Sequence, residues 1–365
     1  MIKVTAAVQY EAGELPVLQD VNLQDPGDNE VLVKIVASGI CHTDFSAPGV
    51  MTALPLIPGH EGSGVVESVG ANVQGLKPGD HVLMSFGSCG ACKRCDEGHP
   101  HDCHSWPQIN FGSARSDGEP GAEVDGEAVF SSFFSQSSFS THVITTQRNL
   151  VKIDPELPLD LYAPLGCGFI TGAGAVINEL KPGADSSIAI FGAGPVGLAA
   201  VMAAVVEGCK PIIIVDINED RLKLACELGA THAINPVIEL PTEKIHEITQ
   251  GGADYTVETA GVVDTFTAAI DALHAGGTCA MLTIPNGGEP FMYSPLQILF
   301  GKTVRGIIEG GSDPQQFIPH LIELHQAGRF PLEKLITFYD FQQLPEAMRA
   351  SKSGEVIKAV VRMKD

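Results

Sequence analysis

Four cysteines carry the clearest chemical pattern in this sequence. Cys89, Cys92 and Cys95 are each separated by two residues, and Cys103 follows eight residues later. Short C-x-x-C loops let two sulfurs, roughly 3.7 Å apart, reach one zinc ion, and four thiolates complete a tetrahedral shell. Because a closed shell leaves no position for a substrate, the lobe 89–103 predicts a structural zinc site. A redox-active dithiol is the alternative, but three evenly spaced cysteines and a fourth fit it poorly.

A second set of metal-binding residue types is spread along the chain. Cys41 opens the run Cys41-His42-Thr43-Asp44, His60 lies in a glycine-flanked turn, and Cys167 lies in a glycine-rich segment. Thiolates and imidazoles are ligands that zinc prefers. Taken singly, each of these residues is more often a core cysteine or a surface histidine, so their spacing alone leaves both interpretations open.

Residues 186–216 have the pattern of a dinucleotide-binding turn. An apolar run over 188–191 is followed by Gly192, Gly194 and Gly197 in the spacing G-x-G-x-x-G, and then by a helix rich in Ala, Val and Leu. The first glycine allows a tight turn, the second leaves room for a pyrophosphate, and the third lets helix and strand pack closely. The helix N-terminus offers unpaired N–H groups to the anion.

An acidic residue completes this unit. A second apolar run, 212–215, ends on Asp216, 19 residues beyond Gly197. A carboxylate at this place can hydrogen-bond the adenosine ribose and would repel a 2′-phosphate. The sequence therefore favours NAD over NADP.

Strand and helix patterns alternate from Ser187 onward, which is typical of a parallel sheet with crossover helices. The predicted strands there are 188–191, 212–215, 233–234, 255–258, 278–284 and 303–308, and the predicted helices are 195–207, 221–228, 243–250, 263–273 and 296–300. Six strands predict a doubly wound Rossmann domain. We expect 1–168 to form a mostly β domain containing the lobe, 169–300 to bind the dinucleotide, and 301–365 to add the last strand and return to the first domain.

Composition excludes several kinds of partner. The chain has 365 residues and a formal net charge of −22, which argues against nucleic acid and anionic membrane surfaces as partners. No secretion signal or 18-residue apolar span is found, so a cytoplasmic protein is expected. The nine cysteines then indicate metal in a reducing compartment rather than disulfides. Cys209, Cys226 and Cys279 are predicted to be core residues, and His99, His101 and His104 are expected to be exposed.

These patterns resemble the zinc-containing medium-chain alcohol dehydrogenases over essentially the whole chain. The zinc signature of that family, G-H-E-x-x-G-x-x-x-x-x-G-x-x-V, is matched by Gly59, His60, Glu61, Gly64, Gly70 and Val73. The four-cysteine lobe and the glycine fingerprint stand in the same order as in the family. The resemblance implies that the first domain is a GroES-like catalytic domain, and that each chain binds two zinc ions and NAD.

In that family two cysteines and a histidine hold a catalytic zinc, which implies Cys41, His60 and Cys167 here. A Cys₂His set leaves the fourth position for water or alcohol. Zinc then lowers the pKa of the alcohol, and a hydride passes from its carbon to the nicotinamide. The chain is therefore expected to be an NAD-dependent zinc alcohol dehydrogenase.

The resemblance also implies roles for neighbouring residues. Thr43 would hydrogen-bond the substrate oxygen, Asp44 would orient His60, and Glu61 would lie behind the metal. Cofactor contacts are implied for His42, Thr171, Gly192, Gly194, Pro195, Val196, Gly197, Asp216, Arg221, Ile284 and Lys358. Ser46 departs from the family pattern, because many members have a histidine there that ends the proton relay. The proton would have to leave by another route.

Substrate class rests on two segments. Residues 110–118 and 133–139 look most like those of aryl (benzyl) alcohol dehydrogenases, and the small Thr43 and Ser85 would suit a flat alcohol near the metal. Four phenylalanines either form an apolar wall or pack within their own domain: Phe130, Phe133, Phe134 and Phe139. The expected substrate is a primary aromatic or allylic alcohol, interconverted with its aldehyde.

Several alternatives remain open at this point. They are a broader primary-alcohol dehydrogenase, a glutathione-dependent formaldehyde dehydrogenase, a zinc-free quinone or enal reductase on the same fold, and a non-enzymatic zinc-binding protein. The resemblance further implies a homodimer or homotetramer formed through the edge strand near 303–308.

Overall fold

The computed structural model describes residues 1–285 and 288–364. The chain divides into two compact units. Unit 1 consists of Met1–Cys167, Asp313–Ile322 and Glu333–Asp365, and unit 2 consists of Gly168–Ser312 and Glu323–Leu332. The last residue of the expected range 301–365 lies outside the described residues. Which function each part carries is a separate matter and stays a prediction.

Within the described part of the chain, strands form the two sheets of unit 1 and the single sheet of unit 2. In chain order they are β1 (Ile2–Val8), β2 (Val17–Leu23), β3 (Glu30–Gly39), β4 (Glu61–Val69), β5 (His81–Met84), β6 (Gly121–Val124), β7 (Glu127–Phe130), β8 (His142–Thr146), β9 (Leu150–Ile153), β10 (Ile188–Phe191), β11 (Ile212–Val215), β12 (His232–Ile234), β13 (Ala253–Glu258), β14 (Leu273–Met281), β15 (Thr303–Gly306), β16 (Ile336–Asp340) and β17 (Lys358–Arg362).

The helices before Cys167 are short, and several of the later ones are longer. The α-helices are α1 (Thr43–Ser46), α2 (Lys93–Asp96), α3 (Trp106–Phe111), α4 (Leu159–Tyr162), α5 (Gly168–Gly174), α6 (Pro195–Glu207), α7 (Glu219–Glu227), α8 (Pro241–Thr249), α9 (Val263–Asp271), α10 (Pro295–Leu299), α11 (Pro314–Gln326) and α12 (Leu344–Ser353). Residues Ala175–Leu180 continue α5 as a π-helix. Short 3₁₀ turns cover Pro100–Asp102, Phe133–Ser135, Gln147–Asn149, Ala163–Gly166, Glu309–Gly311, Leu332–Leu335 and Phe341–Gln343.

Unit 1 is mostly β, as expected. Its larger sheet has the order β16-β17-β3-β4-β5-β9, and β8 also pairs with β3. The central strand β3 is buried along most of its length and ends at Gly39, which is paired with Glu61 at the start of β4. A smaller antiparallel sheet has the order β1-β2-β6-β7. The pairing at Gly39 places the loops that follow β3 and precede β4 side by side.

Unit 2 contains the doubly wound sheet. Within the described residues this sheet has six strands, in the order β12-β11-β10-β13-β14-β15. All of its pairings are parallel. The first strand, β10, lies in the middle and the chain extends outward from it in both directions, which is the Rossmann arrangement. Strands β10 and β11 are buried at every position because both faces of the sheet are covered.

The sequence-based boundary between one helix and the strand after it was wrong. The helix predicted over 263–273 ends at Asp271, and the strand predicted over 278–284 spans Leu273–Met281. Leu273 pairs with Ala253 ahead of a register shift in the neighbouring strand. Pairing across the sheet therefore decides where β14 begins, although the local sequence, rich in glycine, disfavours a strand there.

Two of the three cysteines predicted to be core residues are buried, Cys209 and Cys279. Cys226 is exposed, so that prediction was wrong. It lies on α7, whose buried residues are Leu222 and Ala225, and it points to solvent from another face.

No single helix in the described ranges is long and apolar enough to cross a membrane. The helical segments Leu159–Gly166 and Gly168–Leu180 reach that length and composition only as a bent pair. Most of their residues are buried in the protein, as in a core helix.

Candidate functional site

Four metal-binding side chains lie close together in unit 1. The candidate ligand atoms of Cys41, His60, Glu61 and Cys167 all lie within 4.8 Å of one another. His60 and Glu61 are fully buried, Cys167 is nearly so, and Cys41 is half-buried. The residues expected to hold a catalytic zinc are thus in one place, although they come from three distant parts of the sequence.

The central sheet of unit 1 brings two of them together. Cys41 follows the end of β3, and His60 directly precedes β4. Because Gly39 and Glu61 are paired across these strands, the loops that carry the thiol and the imidazole start from neighbouring points. The antiparallel pairing of β3 with β4 therefore places Cys41 and His60 close together.

Cys167 reaches the cluster because the backbone just before it packs closely against another segment. This residue follows the 3₁₀ turn Ala163–Gly166, which lies against the end of β5. A side-chain carbon at Gly166 would come within 2.1 Å of the carbonyl oxygen of Met84. Only glycine can occupy that position without moving the backbone. The absence of a side chain at Gly166 is what lets the Cys167 thiol reach the other two ligands.

Asp44 is buried beside two of the candidate ligands. Its Oδ1 accepts hydrogen bonds from His60 Nδ1 at 2.8 Å and from the Gly59 N–H at 3.1 Å. Its Oδ2 accepts from the Cys41 N–H at 2.8 Å. An ionised carboxylate can only accept, so the His60 proton lies on Nδ1. The lone pair of Nε2 is then free to bind a metal ion.

The donor set of this cluster fits zinc. His60 Nε2 is buried and has no hydrogen-bond partner among the described residues. A hydrogen bond from Cys167 lowers the pKa of the Cys41 thiol well below its usual value, against the opposing effect of burial. Thiolate is the form that binds metal, and two thiolates with one imidazole match a catalytic zinc site with an open fourth position.

Glu61 is paired with a buried lysine. Lys358 Nζ donates to both carboxylate oxygens of Glu61 at 2.8 Å and to the Ile40 carbonyl at 3.0 Å. Burial is the largest single effect and lowers the pKa of Lys358, but the charges of Glu61 and Cys41 and the hydrogen bonds to Glu61 together outweigh it, and this pKa is raised. Lys358 was expected to contact the cofactor. Its side chain is 1% exposed and its ammonium group already has three protein acceptors, so the structure places it in an ion pair with Glu61, and the cofactor contact stays a prediction.

An aromatic layer covers the His60 ring. Phe134 stacks on the imidazole with ring centres 4.4 Å apart, and Phe133 meets it edge-on at 5.4 Å. Trp106 and Phe111 of α3 pack edge-on against Phe134, at 5.7 and 5.3 Å. Phe111 lies in the segment 110–118 singled out for the substrate class, whereas Trp106 was not predicted to be near the site. Phe139 packs in the core of unit 1, and Phe133 and Phe134 are also buried. These three pack within their own domain, and an apolar wall facing the substrate stays a prediction.

The second thiol cluster lies in the predicted lobe. The sulfurs of Cys89, Cys92, Cys95 and Cys103 lie within 4.8 Å of one another. The Cys92–Cys95 and Cys89–Cys95 sulfur distances are 3.6 and 3.9 Å, close to the separation that a shared tetrahedral zinc requires. A hydrogen bond from the His104 N–H is the largest of the effects that lower the pKa of Cys92 to about 6.

One histidine of this lobe differs from the expectation. His99 is exposed, but His101 is only 5% exposed. The His101 ring packs edge-on against His99 with ring centres 5.5 Å apart, and its Nε2 lies 3.6 Å from a carboxylate oxygen of Asp102. The imidazole is buried as part of the structure of the lobe, outside the set of four sulfurs.

The dinucleotide turn of unit 2 has the predicted backbone geometry. Gly192 has a φ of +100°, which a side chain would strain. A carbon at Gly197 would come within 1.8 Å of the Gly192 carbonyl oxygen, whereas nothing lies within 4 Å of one at Gly194. Helix α6 begins at Pro195 directly after this turn. The N-terminus of α6 therefore offers N–H groups beside an open space.

Other predicted cofactor residues are placed as follows. Asp216 accepts hydrogen bonds from the Ala193 N–H at 2.6 Å and the Asn218 N–H at 2.8 Å, so its carboxylate borders the glycine turn. Thr171, Val196 and Arg221 are half-buried in helices of unit 2. Ile284 is also in unit 2 and is exposed, whereas His42 is exposed in unit 1.

Comparisons with known proteins show the family of this chain. Residues 27–155 match the alcohol dehydrogenase GroES-like domain, and residues 195–326 match the zinc-binding dehydrogenase domain. Geraniol dehydrogenase of Castellaniella defragrans is 43% identical over 364 residues, which cover 99% of this chain and 98% of that protein.

Solved structures agree as well. An alcohol dehydrogenase zinc-binding domain protein from Burkholderia ambifaria has a TM-score of 0.96 and 44% identity. Benzyl alcohol dehydrogenase from Acinetobacter calcoaceticus has a TM-score of 0.95 and 40% identity. Both comparisons cover 100% of this chain and of the other chain. With its GroES-like unit, Rossmann sheet and thiol–imidazole cluster, the chain belongs to the zinc-dependent alcohol dehydrogenases, a family of oxidoreductases that act on small alcohols.

Proposed function

We propose that this chain interconverts a primary aromatic or allylic alcohol with its aldehyde, using NAD and two zinc ions per chain. The observation that carries the substrate class is the aromatic layer on His60, where Phe134 stacks on the imidazole and Phe133 meets it edge-on. Phe133 and Phe134 are 0% and 3% exposed, so they form an apolar wall around the imidazole, and apolar, aromatic surroundings are typical of sites for apolar ligands. Geraniol and benzyl alcohol, named in two relatives, are an allylic and an aromatic alcohol, which supports the same class.

The residues of unit 1 would divide the chemistry between them. When bound, zinc would act as a Lewis acid on the alcohol oxygen, and NAD would accept the hydride. Cys41, His60 and Cys167 would hold the zinc, and Asp44 keeps the imidazole proton on Nδ1. The Thr43 hydroxyl, whose oxygen lies 3.9 Å from Cys41 Sγ, would accept the proton of the substrate. Because Ser46 cannot take that proton as a histidine would, we infer that it passes to solvent.

A substrate panel tests this proposal. We expect kcat/KM for benzyl alcohol and for a primary allylic alcohol to exceed that for ethanol by about tenfold or more, since apolar pocket contacts discriminate by roughly 10- to 200-fold. The rates are measured as nicotinamide absorbance with NAD and with NADP. If kcat/KM for ethanol equals that for benzyl alcohol, the proposed substrate class is wrong, although the chain would still be an alcohol dehydrogenase.

NAD preference is assigned to Asp216, with its carboxylate beside the glycine turn. We expect Asp216→Asn to lower kcat/KM for NAD by about tenfold, because a hydrogen bond to a charged group contributes about 1.5–3 kcal/mol. The NADP value should rise, since the repulsion of a 2′-phosphate is removed. Asp125→Asn, which changes the same charge in the exposed turn after β6, serves as the control. Unchanged preference in the Asp216 variant would contradict the assignment.

Two features bear on where the protein is found and how it assembles: the state of its cysteines and the edge of the unit 2 sheet. None of the nine cysteines, all of them among the described residues, forms a disulfide, which supports a reducing compartment, and we infer the cytoplasm. We also propose that two copies pair along β15, the edge strand of the unit 2 sheet. Leu299 and Phe300, just before this strand, are 79% and 62% exposed. Covering them in a homodimer would remove an exposed apolar patch.

A further inference from the structure

Gln136 is a buried polar residue beside the catalytic cluster that the sequence patterns did not single out. Its side chain is fully buried. The amide nitrogen donates to the carbonyl oxygens of His60 at 2.9 Å and of Ser85 at 3.2 Å. The amide oxygen accepts from the Gly62 N–H at 3.1 Å. One side chain therefore holds the backbone on both sides of Glu61.

Ser85 continues this connection toward the third ligand. Its hydroxyl donates to the Gly166 carbonyl oxygen at 2.6 Å, directly before Cys167. Its own carbonyl also accepts from Asn149 Nδ2 at 3.0 Å. The side chains of Gln136 and Ser85 thus join the His60 backbone to the segment that carries Cys167.

Asp44 joins the remaining ligand from the other side. It accepts from the Cys41 N–H and from His60 Nδ1, both at 2.8 Å. The two connections meet at His60, with Asp44 on the ring and Gln136 on the backbone carbonyl. A continuous set of buried hydrogen bonds therefore links all three candidate zinc ligands.

The loop that supplies Gln136 has an unfavourable backbone. Phe134, Ser135 and Ser137 have φ values of 50°, 55° and 54°, in the left-handed region that side chains other than glycine rarely adopt. Each such residue costs on the order of 1 kcal/mol and persists only where surrounding contacts hold it. Here Asn149 Nδ2 donates to the Phe134 carbonyl at 3.1 Å, and the Ser137 hydroxyl accepts from the Phe133 N–H at 2.9 Å. This conformation directs both Gln136 and Phe134 at His60.

We propose that Gln136 is a positioning residue for the catalytic zinc. It fixes the backbone of His60 and Gly62 and couples that backbone through Ser85 to Cys167, so that the imidazole and thiols keep one arrangement. The proposal rests on the proposed function, in which this cluster binds zinc.

The test measures metal binding as well as turnover. Gln136→Met keeps a side chain of similar length but can make none of the three hydrogen bonds. We expect its affinity for zinc at the catalytic site to fall about 10- to 100-fold, as for other groups that orient metal ligands. With Co²⁺ in place of zinc, its visible absorption bands should shift, and kcat should fall more than KM changes. Gln9→Met is the matched control, because Gln9 is 1% exposed and donates to a backbone carbonyl, that of Glu11, at 3.1 Å.

Thermal unfolding separates positioning from general stability. A positioning role predicts that zinc raises Tm less in Gln136→Met than in the unaltered chain, because weaker binding stabilises less. Equal losses of Tm in the zinc-loaded and chelator-treated forms, with unaltered affinity and cobalt spectrum, would overturn the proposal. If Gln136→Met does not fold, Ser85→Ala takes its place and should shift affinity and spectrum in the same direction; no shift overturns the proposal. An unaltered chain that binds no metal at this cluster would instead overturn the proposed function.

Discussion

Cys167→Ser is expected to lower kcat/KM by roughly a thousandfold, equivalent to about 4 kcal/mol of lost transition-state stabilisation. The Cys167 thiol lies within 4.8 Å of the candidate ligand atoms of Cys41 and His60, and serine oxygen is a much poorer ligand for zinc than thiolate sulfur. Metal analysis should find close to one zinc ion per chain in place of two. The rates are measured with the best alcohol of the substrate panel, and zinc is measured on the same samples.

Two other cysteines provide matched controls for this variant. Cys209→Ser tests loss of a buried thiol, since Cys209 is 2% exposed, and Cys226→Ser tests loss of an exposed one. Both should retain two zinc ions and most of the activity. A Cys167→Ser enzyme with full activity and unchanged zinc content would contradict the assignment of this cluster as the catalytic site.

The strands of unit 2 could be predicted closely because their physical signals are local. The runs 188–191 and 212–215 are continuous, apolar and bounded by glycine and acidic residues, and they coincide with β10 and β11. Their burial on both faces requires that composition. The start of β14 could not be predicted, since it depends on the pairing of Leu273 with Ala253 and no local pattern marks that contact.

The candidate metal ligands were predictable for a different reason. Cysteine and histidine are rare, and the motifs that contain them are specific. The order of these motifs along the chain was therefore enough to suggest which residues lie together in the fold. The groups that hold them carry no such signal. Gln136 contacts backbone atoms 76 and 74 residues away in sequence, and any buried amide could have done so. The ion pair between Lys358 and Glu61 could not be predicted either. It depends on the burial of Glu61 behind the cluster, which only the folded sheet shows.

These two kinds of residue also differ in what a substitution does. A ligand such as Cys167 supplies an atom to the metal, so its loss removes a site outright. Asp44 and Gln136 contribute through geometry, because each satisfies buried groups that would otherwise be unpaired and so limits how the ligands move. Graded losses of metal affinity are therefore expected from the second kind, and near-complete losses from the first.

The second large effect is expected from a substitution in the four-cysteine lobe. It concerns the stability of the fold rather than the rate of the reaction. Cys103→Ala is expected to release the lobe zinc and lower Tm by roughly 10 °C or more. Structural zinc sites contribute on the order of 10 kcal/mol, and each kcal/mol lost shifts Tm by about 2–4 °C in a domain of roughly 150–250 residues, the size class of unit 1. Cys103 is 4% exposed and its sulfur accepts from the Cys89 N–H at 3.3 Å, so its removal opens the shell on the buried side.

Scanning calorimetry and zinc analysis measure this effect, with Cys226→Ser again as control. Activity assayed well below the new Tm should stay within a few-fold of the unaltered enzyme, because the lobe supplies no group to the catalytic cluster. That separation distinguishes the two metal sites. On this proposal, loss of the cluster zinc would remove turnover and leave the lobe intact, whereas loss of the lobe zinc would shorten the lifetime of an enzyme that still turns over. If Cys103→Ala kept two zinc ions and an unchanged Tm, the lobe would not be a structural zinc site.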